Sequence, residues 1–268
     1  MPQPSHYRTL FLSDIHLGTP DCKAGLLLDF LREHDSDTLY LVGDIIDCWQ
    51  IRRKGFYWPQ SHNDVVQKLL RKARKGTRVV FLPGNHDAEF RDHFGIHLGN
   101  VEIRDRVIHE AADGRRLLVV HGDLFDRIGG HGRWLAWVGD RAYGAAMWAN
   151  KWTNMCRAVL GYDYWPLSRW AKLRVGRAVS FIADYERGLA AEARRSGVDG
   201  VVCGHIHHAA AGMRDGIRYL NAGDWVESCT AVAEDHAGRF SIIDWAEITR
   251  TRRAEARAAG AAGPVEAA

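Results

Sequence analysis

The chain has 268 residues, of which 46% are hydrophobic and 26% charged, and carries a formal net charge of +3 with histidine neutral. That profile belongs to a folded globular chain able to bury a large core, and it excludes an intrinsically disordered one. So mild a charge leaves no electrostatic footprint for nucleic acid, and none is expected as a partner.

The five cysteines, at 22, 48, 156, 203 and 229, are scattered and form no CxxC pair, which argues against a disulfide framework and a thiolate zinc site. Met1 to Thr9 is polar and leads straight into a strand-like segment, so no secretory leader is expected. No stretch approaches the ~18 uncharged apolar residues of a membrane span. A cytoplasmic location is the expectation.

In chain order, Thr9 to Ser13 reads as a buried strand and Ala24 to Glu33 carries leucines at helical spacing. Thr38 to Val42 is a second buried strand. Asn63 to Lys75 repeats apolar residues at Val66, Leu69, Leu70 and Ala73, with Gly76 as a stop. Arg78 to Leu82 is a third strand. This alternation predicts βαβ units and a parallel sheet. Next, Val101 to Glu110 and Arg116 to Val120 flank Asp113-Gly114, a hairpin signal. A long helical, tryptophan-rich stretch follows, over about 129–195. Val198 to Cys203 is another buried strand, and Ile217 to Leu220, Cys229 to Ala233 and Phe240 to Ile243 read as a closing antiparallel set. One domain over 1–246 is expected, and 247–268, rich in alanine and arginine, reads as a frayed helix or disordered tail.

Five short polar motifs each follow one of these apolar strands: Asp14-Ile-His16, Gly43-Asp44, Gly84-Asn85-His86-Asp87, His121-Gly-Asp123 and Gly204-His205-Ile-His207. In α/β sheets ligands bind beyond the carboxyl ends of strands, so the five sets converge on one edge. Carboxylate, imidazole and amide donors suit manganese, iron or zinc better than calcium or magnesium. Asp14, His16, Asp44, Asn85, His121, His205 and His207 exceed what one ion needs; two ions about 3.5–4 Å apart would use them all. Such a pair keeps a net positive charge that favours a phosphoryl group, and it lowers the pKa of bound water. That chemistry is phosphoester or phosphoanhydride hydrolysis.

With every block present in order, the chain resembles the calcineurin-like dinuclear metallophosphoesterases over about Arg8 to Ile243. The resemblance implies a four-layer α/β/β/α sandwich of mixed sheets with a helical cap insertion, and two divalent ions, with Mn2+ the first expectation and Fe or Zn the alternatives. It implies that Asp14, His16 and His207 hold one ion, that Asn85, His121 and His205 hold the other, and that Asp44 bridges them. His86 then resembles the proton donor or phosphate clamp, with Asp87 as its orienting partner and Asn85 beside it. Asp123 is expected to stiffen the loop around His121. Asp47 reads equally as support for the site or as a plain helix start.

Six of the ten tryptophans fall between Trp134 and Trp170, interleaved with arginine and lysine. Trp137, Arg141 and Trp152 lie near helical spacing, which gives an aromatic face with a cationic flank, suited to an acyl chain or an anionic membrane surface. A cap whose tryptophans pack on the sheet would read the same way. The loop from Trp49 to Trp58 repeats the pattern, and Arg52 and Arg53 either stand at the mouth of the site or belong to a plain surface loop. The insert is similar to that of the bacterial UDP-2,3-diacylglucosamine pyrophosphatases, which implies a lipid-linked phosphate substrate and peripheral contact with the inner face of the membrane. That branch typically has Arg where this chain has His86, and a related bacterial group with the GNHD form resembles phospholipases of the C type. A soluble nucleotide phosphodiesterase and a catalytically inert scaffold are the remaining alternatives. No feature of the sequence fixes an oligomeric state.

Overall fold

The computed structural model describes residues 4–98, 100–128 and 167–261. The first sheet holds β1 (Ser5–Leu12), β2 (His34–Val42), β3 (Arg78–Leu82), β4 (His97–Leu98), β5 (Val101–Ile103), β11 (Thr230–Glu234) and β12 (Phe240–Asp244), in the order β12-β11-β1-β2-β3-β5-β4. The second holds β6 (Val107–Glu110), β7 (Arg116–Val119), β8 (Gly200–Cys203), β9 (Ala210–Arg214) and β10 (Ile217–Asn221), in the order β6-β7-β8-β10-β9. Among the pairings, β1–β2, β2–β3 and β7–β8 are parallel. The carboxyl ends of β1, β2 and β3 therefore share one edge, as do those of β7 and β8.

Alternation along the strands builds three cores. Leu10, Leu12, Leu39, Leu41, Val79 and Phe81 face an outer helical layer made of α1 (Ala24–Glu33), α3 (Gln60–Arg74) and the start of α5 (Trp245–Ala261). Their neighbours Phe11, Tyr40, Val42, Val80 and Leu82 face Leu117, Val119, Val202 and Leu220 of the other sheet. Leu118, Val120, Val201 and Cys203 then pack on α4 (Leu167–Arg195) through Tyr185, Leu189, Ala190 and Ala193. The strands read as unbroken apolar runs because both faces are covered. The helices bury residues four apart, Val65, Leu69 and Ala73 in α3 and Tyr185, Leu189 and Ala193 in α4. The result is the four-layer sandwich. Glu234, fully buried, ties the sheets together by accepting from Thr9 Oγ1 at 2.7 Å, Arg8 Nη1 at 2.9 Å and the Ala112 amide at 2.8 Å, with His109 Nε2 at 2.8 Å.

Two sequence expectations need correction, and one strand went unread. Val101 to Glu110 is two strands in different sheets, broken at the charged Arg104-Asp105-Arg106. The closing set is also divided: β10 pairs in parallel with β8 in the second sheet, while β11 and β12 extend the first. The sequence Ala-Ala-Gly-Met-Arg of β9 has no β-branched run to announce it, yet it pairs with β10. Beyond 246 the chain is helical to Ala261, and this helix is anchored at its first residue, since Trp245 is buried against Phe30 and His34. Cys22, Cys48, Cys203 and Cys229 are free thiols.

Candidate metal centre

Strand ends place the polar motifs and a contorted backbone aims them. Among the described residues seven non-glycine positions have positive φ, and five are Asp14, His16, Asp44, His205 and His207, at 52°, 54°, 53°, 72° and 53°. Such conformations are costly for residues with a Cβ and concentrate where the surrounding structure imposes them. Close approach explains the neighbouring glycines. At Gly43, with φ 77°, a Cβ would collide with the ring of His121, and at Gly204 it would collide with Ser13 Oγ.

Two donor groups adjoin. Asp14, His16 and His207 bring ligand atoms within 4.8 Å of one another, and so do Asp44, His121 and His205. A third set, His16, Asp44 and His86, links them. In each key residue one polar atom is engaged by the protein and the other is left facing the centre. Asp14 Oδ2 accepts from Ser13 Oγ and from the His205 amide at 2.8 Å, while Oδ1 is buried and makes no hydrogen bond. His16 Nδ1 lies 2.9 Å from Asp47 Oδ2, and His121 Nδ1 lies 2.9 Å from the Val42 carbonyl; both Nε2 atoms are buried without a hydrogen bond. An Nδ1–H donated outward leaves the Nε2 lone pair inward, the tautomer a metal requires. Asp44 Oδ1 accepts from the His86 amide at 2.7 Å, and its Oδ2 stands 3.5 Å from His121 Nε2 and 3.9 Å from His16 Nε2. That single oxygen lies between the two groups. Buried polar atoms are costly without partners, so these orphaned acceptors fit a cation.

The charges agree with this. Burial opposes ionisation of Asp14, but His207, 3.2 Å away, takes its pKa down to about 2. Burial likewise opposes a charged His121, yet Asp44 and Asp14 raise its pKa to about 10; Asp14 raises that of His207 to about 9. Asp44 is held well below the usual carboxylate range by His121, against its burial. Without cations, Asp14 and Asp44 on one side and His121 and His207 on the other favour each other's charged forms, a balance that divalent ions would take over.

The calcineurin-like phosphoesterase family profile matches residues 7–209. The chain belongs to that family. It is a metal-dependent phosphohydrolase, and the family implies divalent metal ions, a requirement the orphaned donors of this phosphoesterase meet. Among curated relatives, it is 35% identical to a UDP-2,3-diacylglucosamine hydrolase of Chromohalobacter salexigens over 120 residues, 43% of this chain and 46% of that one. It is 28% identical to the enzyme of that name from Xanthomonas campestris pv. campestris over 245 residues, covering 86% and 96%. The corresponding figures for Stenotrophomonas maltophilia K279a are 29% over 251 residues, covering 87% and 97%.

Around the phosphoesterase centre the supports differ from expectation. Asp87 does not orient His86. Its carboxylate accepts from the amides of Gly84 at 2.6 Å and Ile45 at 2.7 Å, with longer bonds of 3.3 Å from Asp44 and Ile46, and so locks two motif loops together. Burial and the neighbouring Asp44 charge raise its pKa to about 7. The carboxylate facing the His86 ring is that of Asp47, whose Oδ2 lies 3.0 Å from His86 Nδ1 and is hydrogen-bonded to His16 Nδ1 at 2.9 Å. Burial works against its ionisation, but the two histidines and the Gln50 amide keep its pKa far below the usual range. It also caps α2 (Cys48–Lys54) through Gln50, as a buried residue and not a solvated helix start. Asn85 is half-buried on the loop that Asp87 braces. Asp123 accepts two bonds from Arg91 Nη2, at 2.8 and 2.9 Å, which joins the His121 loop to the segment Ala88–His93.

Helix α2 carries Trp49, whose ring meets His86 edge-on at 5.4 Å, and Arg53 lies over that ring at 4.5 Å. Arg52 is exposed and pairs with Glu89 at 2.6 Å. Trp137, Arg141 and Trp152 lie outside the described residues. Sequence reasoning missed Tyr185. Its hydroxyl donates toward the carbonyls of Gly204 at 3.1 Å and His121 at 3.4 Å, and a Cβ on Gly122 would strike it. Only the buried spacing Tyr185–Leu189–Ala193 could have hinted at its inward face. Among the described residues no helix is long and apolar enough to cross a membrane.

Proposed function

We propose that this phosphoesterase hydrolyses the pyrophosphate of an amphipathic, lipid-linked nucleotide, UDP-2,3-diacylglucosamine or a close analogue. The observation that carries the reading is the shared carboxylate: Asp44 Oδ2 faces donors from both groups. In this reading Asp14, His16 and His207 hold one ion, Asn85, His121 and His205 hold the other, and Asp44 bridges. Two divalent ions, Mn2+ in the first instance and Fe or Zn otherwise, would supply Lewis acidity and a water of lowered pKa. The full-length relatives of Xanthomonas and Stenotrophomonas support the substrate class.

The chain's own residues do the rest. Asp47 faces His86 at Nδ1, and Nε2, 4.0 Å from Asp44 Oδ2, stands on the side of the centre where it would give a proton to the leaving oxygen. The Asn85 amide donates to a phosphoryl oxygen, and Arg53, stacked on Trp49, brings a cation to the lip beside His86. The tryptophan- and arginine-rich insert, with Trp137, Arg141 and Trp152, receives the acyl chains and contacts an anionic membrane from the cytoplasmic side. A phospholipase of the C type is the second reading, favoured by His86 itself: an alkoxide needs a proton donor more than a phosphate leaving group does.

The test is incubation of the manganese-loaded protein with UDP-2,3-diacylglucosamine and with a phospholipid panel, followed by mass spectrometry. UMP and the diacylglucosamine 1-phosphate are expected. Diacylglycerol would transfer the assignment to the second reading. Turnover of bis-p-nitrophenyl phosphate alone would overturn the lipid-linked substrate.

A further inference from the structure

Metal-donor side chains also gather at the opposite end of the first sheet. Asp14 follows the carboxyl end of β1, whereas His6 is the second residue of that strand. Strand β1 lies between β2 and β11, so both neighbours can present a side chain beside His6. On one side His6 pairs with Asp35, and Asp37 stands two residues further on the same face of β2, the diagonal position reachable across a ladder. On the other side Thr9 pairs with Glu234, and the connection from β11 to β12 brings His236 back over the start of β1.

Asp37 sits between the two imidazoles. Its Oδ1 is 2.7 Å from His6 Nε2, and its Oδ2 is 3.9 Å from His236 Nδ1. The two rings lie parallel, 2° apart in plane with centroids 5.7 Å apart. All three donor atoms fall within 4.8 Å of one another. The mounts are firm. His6 and Asp37 belong to paired strands, and the turn carrying His236 is closed on Asp235, which accepts from the Ala237 and Arg239 amides at 2.9 Å each and, through its carbonyl, from Gly238 at 3.0 Å. Binding an ion therefore orders side chains and leaves the backbone as it is. The side chains are 52%, 56% and 59% exposed, so an ion reaches them without opening the fold.

We propose that His6, Asp37 and His236 form a separate metal site that takes a borderline divalent cation, Zn2+, Ni2+ or Cu2+. Two imidazoles and one carboxylate select such ions over Mg2+ and Ca2+. Three protein donors leave one tetrahedral position to water or to an exchangeable ligand, the arrangement of an open rather than a sealed zinc site. The proposal does not depend on how ions distribute in the phosphoesterase centre, because no residue is common to the two.

The experiment uses the untagged full chain with manganese in excess, titrated with Zn2+ in equilibrium dialysis with elemental analysis. Wild type is expected to bind one more equivalent of Zn2+ than the His6→Ala/His236→Ala variant. It should also be retained on immobilised Ni2+, where that variant elutes early and a His93→Ala control does not. Asp37→Asn keeps a side chain of the same size and should weaken Zn2+ binding about tenfold through loss of the carboxylate. Bis-p-nitrophenyl phosphate turnover under Mn2+ should be the same for all four proteins, which reports that they are folded. Equal Zn2+ content in wild type and the double variant overturns the proposal, and an unchanged affinity in Asp37→Asn removes the carboxylate from it.

Discussion

The two sheets furnish the phosphoesterase centre in different ways. The loops after β1, β2 and β3 are braced by buried carboxylates, Asp47 on two histidine Nδ1 atoms and Asp87 on four backbone amides. The loops after β7 and β8 are braced largely from outside their own sheet: the Val42 carbonyl on His121, the Asp14 carboxylate on the His205 amide, Arg91 on Asp123, a 3.1 Å bond from the Gly204 amide to the His121 carbonyl, and the Tyr185 hydroxyl. Charge divides in the same way. The strongly ionised carboxylates Asp14 and Asp44 come from the first sheet, and the imidazoles with raised pKa, His121 and His207, come from the second. One half is held by its own carboxylates, whereas the other leans on groups of the first half and on a helix packed behind it.

The strongest way to break this comparison is to remove what both halves share. Asp44→Ala should abolish loading of both sites and lower kcat/KM on bis-p-nitrophenyl phosphate by at least ~10³-fold, about 4 kcal/mol of transition-state stabilisation. Loss of one equivalent of metal with the other retained would show that Asp44 serves one half only.

Next in size is proton linkage. In the cation-free protein His121 and His207 hold protons below pH 9, so loading at pH 7 must displace about two protons, and apparent metal affinity should fall by up to ~100-fold for each unit of acidification. Calorimetry in buffers of different ionisation enthalpy counts them. The same pairs govern stability. A histidine raised from 6.5 to about 9 or 10 contributes stability that is complete below pH 6.5 and is lost as pH rises through those values. Asp14, lowered from 3.8 to about 2, contributes stability that is present above pH 3.8 and lost as pH falls through 2. Thermal unfolding of the metal-free chain should therefore shift steadily to lower temperature between about pH 6.5 and pH 10, and metal should remove that loss. A flat midpoint from pH 7 to 10 would refute the pairing.

A smaller effect is expected at Asp47. Asp47→Asn should lower affinity for the ion held by His16 about 10–100-fold, the usual cost of a lost support behind a ligand, while saturating Mn2+ restores loading. A change in activity that excess metal cannot recover would then report on His86, the other histidine Asp47 holds.

How far this was legible follows from what a linear pattern carries. The convergence of these donor side chains was readable because each motif directly follows an apolar strand, and the parallel pairing of β1, β2 and β3 turns that order into proximity. The backbone conformation was not readable: nothing in the letters Asp14 or His205 announces a positive φ, which is imposed by the tight approach of the loops. The two readings of Asp47 could not be separated because a capping aspartate and one that also faces two histidines have the same local sequence. Asp87 looked like a partner for His86 because they are adjacent, but adjacent side chains in a tight loop diverge, and its oxygens found backbone amides instead. Sheet membership failed for the same reason at Arg104 to Arg106 and at β10, since hydrophobic periodicity reports which residues are buried and says nothing of which strand they lie beside.

The smallest expected effect tests the weaker half directly. Tyr185 lies on α4, in the described part of the 129–195 insert, and its hydroxyl contacts the two loops that present His121 and His205. Tyr185→Phe keeps the ring packed among Leu118, Val120 and Leu189 and removes only the oxygen. Affinity for the ion held by His121 and His205 should drop by about tenfold, and affinity for the ion held by Asp14, His16 and His207 should drop less, because only His207 of that set lies on a loop that Tyr185 contacts, whereas Asp14 and His16 stand on first-sheet loops. Stepwise Mn2+ binding, read by calorimetry alongside the thermal midpoint, separates this from general loosening. A structural lesion would lower the midpoint and weaken both ions together, and that result would mean the two halves of the centre are held as one.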